Sequence, residues 1–90
     1  MTLHLSARKM EDNWHEDNKR AFFKDRIVDQ MTLFLMRDFN LRLSEALEVI
    51  YNSSLHLSLQ DDETGLYLES PSYVYEYLKK EYLTGSFSVA

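Results

Sequence analysis

His56, one of three histidines, is of a type suited to acid–base work and has carboxylates close by in sequence. An imidazole titrates near neutral pH, and Asp61 and Asp62 follow five and six residues later. A carboxylate at that range could orient the ring as a base is oriented in a catalytic pair. A hydrolase would also need a nucleophile and donors for a developing oxyanion, and no residue beside His56 supplies either. Two readings stay open: a small hydrolase using His56, or a surface or half-buried histidine. Asp61, Asp62 and Glu63 are adjacent carboxylates on a turn. They lack the alternating ligand register and closing bidentate Glu of a calcium loop, and read as a solvated loop. His15, Glu16 and Asp17 have metal-ligand side chains. Three consecutive helical residues do not face one point, however, and the pattern of two histidines four apart is absent. No catalytic, cofactor-binding or metal-binding residue is therefore expected, nor any cofactor, and the chain reads as non-enzymatic.

The totals bound what can hold such groups in place. The chain has 90 residues, a net charge of −5, 44% hydrophobic and 13% aromatic residues, and no cysteine. One domain is expected, burying about 60–65% of its unfolded surface. Without cysteine there is neither a disulfide framework nor a thiolate metal site, which fits a reducing cytoplasm. The longest apolar-rich run, Met31 to Met36, is far short of the roughly 20 residues of a membrane span. No signal-peptide pattern opens the chain. Charge is uneven: Leu43 to Leu78 holds no Lys or Arg but seven acidic residues, a stretch that repels phosphate backbones.

The expected fold is all-α, a small bundle of three main helices plus a short helical segment. Residues 1–17 read as a loosely held tail, and 18–85 as the single helical domain. A first helix over 18–38 follows from Phe23, Ile27, Met31, Phe34 and Leu35 at three- and four-residue spacing. Phe22, Leu33 and Met36 fall off that stripe and form a second apolar strip. Asn40 is a fitting terminator, because Asn tolerates the left-handed conformation. A second helix over 44–52 has Ser44 as its N-cap, with Leu43, Ala46, Leu47, Ile50 and Tyr51 as its apolar face. Leu55, Leu57 and Leu59 alternate like a strand, yet a lone strand has no partner, so a helical segment over 54–60 is preferred.

Between Asp62 and Gly85 lie five of the six tyrosines and the only proline. Gly65 suits the positive φ of a turn. Ser70-Pro71 starts a third helix over 71–83, with Ser as N-cap, Pro at the first position and Gly85 beyond the end. Its wheel puts Tyr77 inside a broad apolar arc and Tyr75 at the edge. Tyr67, Tyr73 and Tyr75 are accordingly the candidate contact patch, with core duty as the alternative reading.

The stretch from about Ile27 to Tyr82, roughly two thirds of the chain, resembles short uncharacterised bacterial families. The carrying motifs are Leu43-Ser44-Glu45-Ala46-Leu47, Thr64-Gly65-Leu66-Tyr67 and Ser70-Pro71-Ser72-Tyr73-Val74-Tyr75. They correspond to a helix, a second helix of Leu-Ser-Glu-Ala-Leu type and a tyrosine-rich third. Such families sit among genes similar to toxin–antitoxin pairs, so the resemblance implies a protein partner.

These observations lead to a small acidic protein–protein interaction module, cytoplasmic and antitoxin-like, with an unidentified protein partner. Phe22, Leu33 and Met36 are expected to support a homodimer. The alternative from another class is a helix-turn-helix regulator spanning Ser44 to Leu59. Its second helix would have only His56 and nearby Gln60 as long donors, so nucleic-acid binding is not expected.

Overall fold

The computed structural model describes the backbone of residues 2–85 and the side chains of residues 18–85. The fold is all-α, with four helices among the described residues, α1 (Thr2–Phe39), α2 (Leu43–Tyr51), α3 (Ser54–Gln60) and α4 (Pro71–Thr84), and two 3₁₀ turns, Asp62–Thr64 and Leu66–Leu68, before α4. No strand occurs among the described residues. No helix among them is long and apolar enough to cross a membrane.

The first helix carries helical backbone back to Thr2, well before the expected start at 18. The side chains of 1–17, those of His15, Glu16 and Asp17 among them, lie outside the described residues, and with them the reading of a loosely held tail. From Ile27 onward the periodicity acts as expected. Ile27, Val28, Met31 and Leu35 are buried on one side, at the spacing that puts side chains on one helical face. Thr32 is buried among them without an orphaned hydroxyl, since its Oγ1 donates to the Val28 carbonyl at 2.7 Å. Asn40 follows with φ 54°, the left-handed conformation that stops the helix.

α2 starts one residue earlier than its expected cap. Arg42 is the extended residue before it, and Ser44 lies inside the first turn. Glu45 makes the local bond instead, its Oε1 accepting from the Arg42 N–H at 2.8 Å. The apolar face is also narrower than the sequence implies: Ala46 and Ile50 are buried one turn apart, while Leu43 and Tyr51 are exposed. Both lie at the ends of a nine-residue helix, beyond the reach of the core.

α3 settles the ambiguity of the three leucines. Leu55 and Leu59 are buried and Leu57 is exposed, as a helix requires. Ser53 caps it, its Oγ accepting from the His56 N–H at 3.1 Å while donating to the Ile50 carbonyl at 2.6 Å. A more distant group completes that end. Glu81 of α4 accepts from the Ser54 and Leu55 N–H groups at 2.7 and 3.0 Å, placing negative charge at the positive end of a helix.

The acidic turn is fixed from outside as well. Gly65 takes φ 69°, Asp61 Oδ1 accepts from the Glu63 N–H at 3.0 Å, and Lys24 of α1 bonds both Asp62 and the Gln60 carbonyl. Arg20 Nε lies 3.4 Å from the same Asp62 carboxylate, so this turn is tied to α1. α4 then begins as expected, with Ser70 Oγ accepting from the Tyr73 N–H at 3.2 Å and Pro71 in the first turn. It ends at Gly85 with φ 72°. Val74, Tyr75 and Leu78 are its buried side chains, packed with those of α1, α2 and α3 in one core.

Candidate interaction surface

On α4 the roles of two tyrosines are the reverse of those read from the helical wheel. Tyr75 is 4% exposed and Tyr77 is 49% exposed. The reason is the direction of the core. Val74 and Leu78 are fully buried, and Tyr75 lies on their side of the helix, whereas Tyr77 follows Tyr73 by one turn on the outer side. Tyr75 also has a partner that no local pattern reveals. Its hydroxyl donates to Asp38 Oδ2 at 2.7 Å, and its ring lies 5.0 Å from that of Phe34. Burial, and then the bond to Asp38, raises the Tyr75 phenol well above its ordinary range. The Arg37 hydrogen bond, and then that of Tyr75, lowers the Asp38 carboxyl. Tyr75 is thus a core residue and leaves the candidate contact patch.

Tyr67 is half-buried and packed against the core, with the Lys24 ammonium 5.7 Å from its ring centre, so only part of its surface faces outward. Tyr73 stays, at 47% exposure, and Tyr77 joins it. Their hydroxyls are 3.0 Å apart and their rings meet edge to face at 5.4 Å, so the pair is held as one unit. The bond to Tyr77 raises the Tyr73 phenol. Next to Tyr77 a shallow groove of about 440 Å³ is lined by Glu76, Lys79, Lys80, Leu83 and Thr84. Tyr77 and exposed Leu83 were legible as surface residues only with Val74 and Leu78 taken as the centre of the buried face.

The second apolar strip lies on α1. Phe22 is 62% and Leu33 56% exposed, on the side of the helix opposite Met31 and Leu35. Met36 is a partial correction: it is half-buried and packs against the edge of the core. The strips on α1 and α4 are not brought together, since each is turned away from the core the two helices share.

His56 does enter a hollow, of about 250 Å³, with Asp25, Val28, Asp29, Tyr51 and Gln60. Asp61 and Asp62, its neighbours in sequence, are not part of that lining. The Tyr51 ring stands edge-on to the imidazole at 5.0 Å, and Gln60 Nε2 lies 3.2 Å from His56 Nε2. With the amide donating there, the ring proton sits on Nδ1. Burial lowers the His56 pKa below its usual value. The hollow holds no serine, threonine or cysteine. Among the described residues no three His, Asp or Glu side chains gather as metal ligands.

The helix-turn-helix arrangement can also be weighed on this geometry. α2 and α3 are joined by Asn52 and Ser53, but α3 carries no Lys or Arg. The nearby cations Lys24 and Arg20 are engaged with Asp62. Phosphate contact, which normally dominates affinity, has little to draw on here. Comparison of the chain with protein-family models, with curated proteins and with solved structures gives no match.

Proposed function

We propose that this chain is a non-enzymatic protein–protein interaction module of the cytoplasm, acting in an antitoxin-like or regulatory pair, as its resemblance to short bacterial families implies. The observation that carries the reading is the placement of large apolar side chains outward in helical strips: Phe22 and Leu33 on α1, and Tyr73 and Tyr77 on α4. Aromatic residues with a polar tip are favoured where a surface is wet when free and buried when bound. In a domain of 90 residues, where core material is scarce, nine large apolar side chains are exposed among the described residues, and these four fall on two helical strips. The test is affinity capture from the native host with the full chain as bait, beside Tyr73→Ala/Tyr77→Ala and Phe22→Ser/Leu33→Ser variants. The reading expects a protein retained by the full chain and lost from at least one variant of unchanged melting temperature. Identical retention by all three baits would overturn it.

A further inference from the structure

The exposed strip of α1 reads Phe22, Arg26, Asp29, Leu33. Its steps of four, three and four residues keep these side chains on one helical face, and all four are exposed. The same steps result when the strip is read backwards. A second α1 laid antiparallel, with a two-fold axis between Ile27 and Val28, therefore meets the first in register. Phe22 then faces Leu33 of the second copy, Arg26 faces its Asp29, and the aliphatic stem of Lys19 reaches the outer edge of its Met36. Every contact occurs twice, as an isologous interface demands. A parallel pair would instead set Arg26 against Arg26 and Asp29 against Asp29, like charges at close range.

The geometry points to a second copy of this chain as the occupant of the α1 strip, packed antiparallel so that Arg26 of each copy pairs with Asp29 of the other. The inference rests on the proposed reading of the strip as a contact surface, and adds its partner and register. Charge complementarity selects the direction. The apolar pairs supply affinity, and a single helix face lies at the low end of interface sizes, which sets association at about micromolar strength.

Sedimentation equilibrium of the full chain up to about 100 μM, in low salt, reads the dimer directly. Arg26→Asp or Asp29→Arg alone should weaken it about tenfold or more, because each places two like-charge contacts across the axis. The double exchange Arg26→Asp/Asp29→Arg should restore it to within about threefold. All three variants change only the exposed positions 26 and 29, so melting temperatures should be unchanged. Since the chain has no cysteine, introduced thiols report the register. A mixture of Phe22→Cys and Leu33→Cys chains should form the mixed disulfide. Leu33→Cys alone should not, since its two copies stand about 16 Å apart along the helices at 1.5 Å per residue. A monomeric full chain, indifference to the single charge changes, failure of the double exchange to rescue, or ready Leu33→Cys homodisulfides would each overturn the inference. A monomer whose partner capture still depends on Leu33 would overturn the self-pairing but keep the contact-surface reading; loss of both would remove both.

Discussion

Tyr75 and Tyr77 differ by two positions on one helix and should differ severalfold in what they contribute to stability. Tyr75→Ala removes a ring that is 4% exposed and packed at a tilt against Phe34, together with a hydroxyl bonded to Asp38. Deleting a buried aromatic costs about 3–5 kcal/mol, against a total of about 5–13 kcal/mol for a domain of this size. Tyr75→Phe isolates the hydroxyl. The Asp38 side chain is 22% exposed and keeps its bond to Arg37, so the carboxylate is not left without a partner, and the loss should be at the modest end for a hydrogen bond, about 1 kcal/mol. That corresponds to a fall in Tm of about 4–8 °C. Tyr77→Ala removes a half-exposed ring and an exposed bond to Tyr73, and should stay within about 0.5 kcal/mol. Urea unfolding followed by far-UV circular dichroism gives all three values, with m unchanged as the check on two-state behaviour. Equal losses for Tyr77→Ala and Tyr75→Ala would refute the assignment of core and surface on α4. A Tyr75→Phe change without effect would refute the contribution of the Asp38 bond.

Removing the remote cap in Glu81→Ala should cost about 1–2 kcal/mol by freeing the Ser54 and Leu55 amides, with hydrogen exchange rising first in α3. Stability should fall on acidification in two stages. The folded His56 pKa lies below its ordinary 6.5, so its contribution is present above that value and lost as pH drops through the folded one; Asp38 and Asp62, both lowered, add a loss below their ordinary 3.8. His56→Gln should flatten the first stage and leave the second, as read from urea midpoints across pH. Specific duplex DNA should not be bound at about 150 mM salt; nanomolar retention of a defined operator would restore the helix-turn-helix reading.

What was legible in the sequence were features decided within a few residues. Ser70-Pro71, Gly65, Gly85 and Asn40 fix element ends through backbone conformation alone, and Leu55 and Leu59 carry helical spacing visible once a lone strand is rejected. The misreadings came from contacts distant in sequence. Tyr75 is anchored by Asp38, 37 residues away, and three tyrosines at alternate positions leave the wheel without a clear centre. The anchoring of the acidic turn by Lys24 spans 38 residues, and the Glu81 cap on α3 spans 27. Ser44 looked like a cap because its type favours caps, whereas Glu45 bonding back to Arg42 sets where α2 begins. Of the candidate surface, Phe22 and Leu33 stand out by their departure from the main stripe of α1 and Tyr73 by its place near the edge of the apolar arc of α4, whereas Tyr77 reads as core because that arc is centred on the wrong side.

The central claim is that the outward strips on α1 and α4 meet other proteins. Site-specific photocrosslinking in the living host tests it most directly, with benzoylphenylalanine placed at Leu33 or at Tyr77 and, as control, at exposed Glu63 in the acidic turn. The account expects discrete higher-mass adducts from Leu33 and from Tyr77, and none from Glu63. No adduct at either strip, or the same adducts from all three positions, would contradict it.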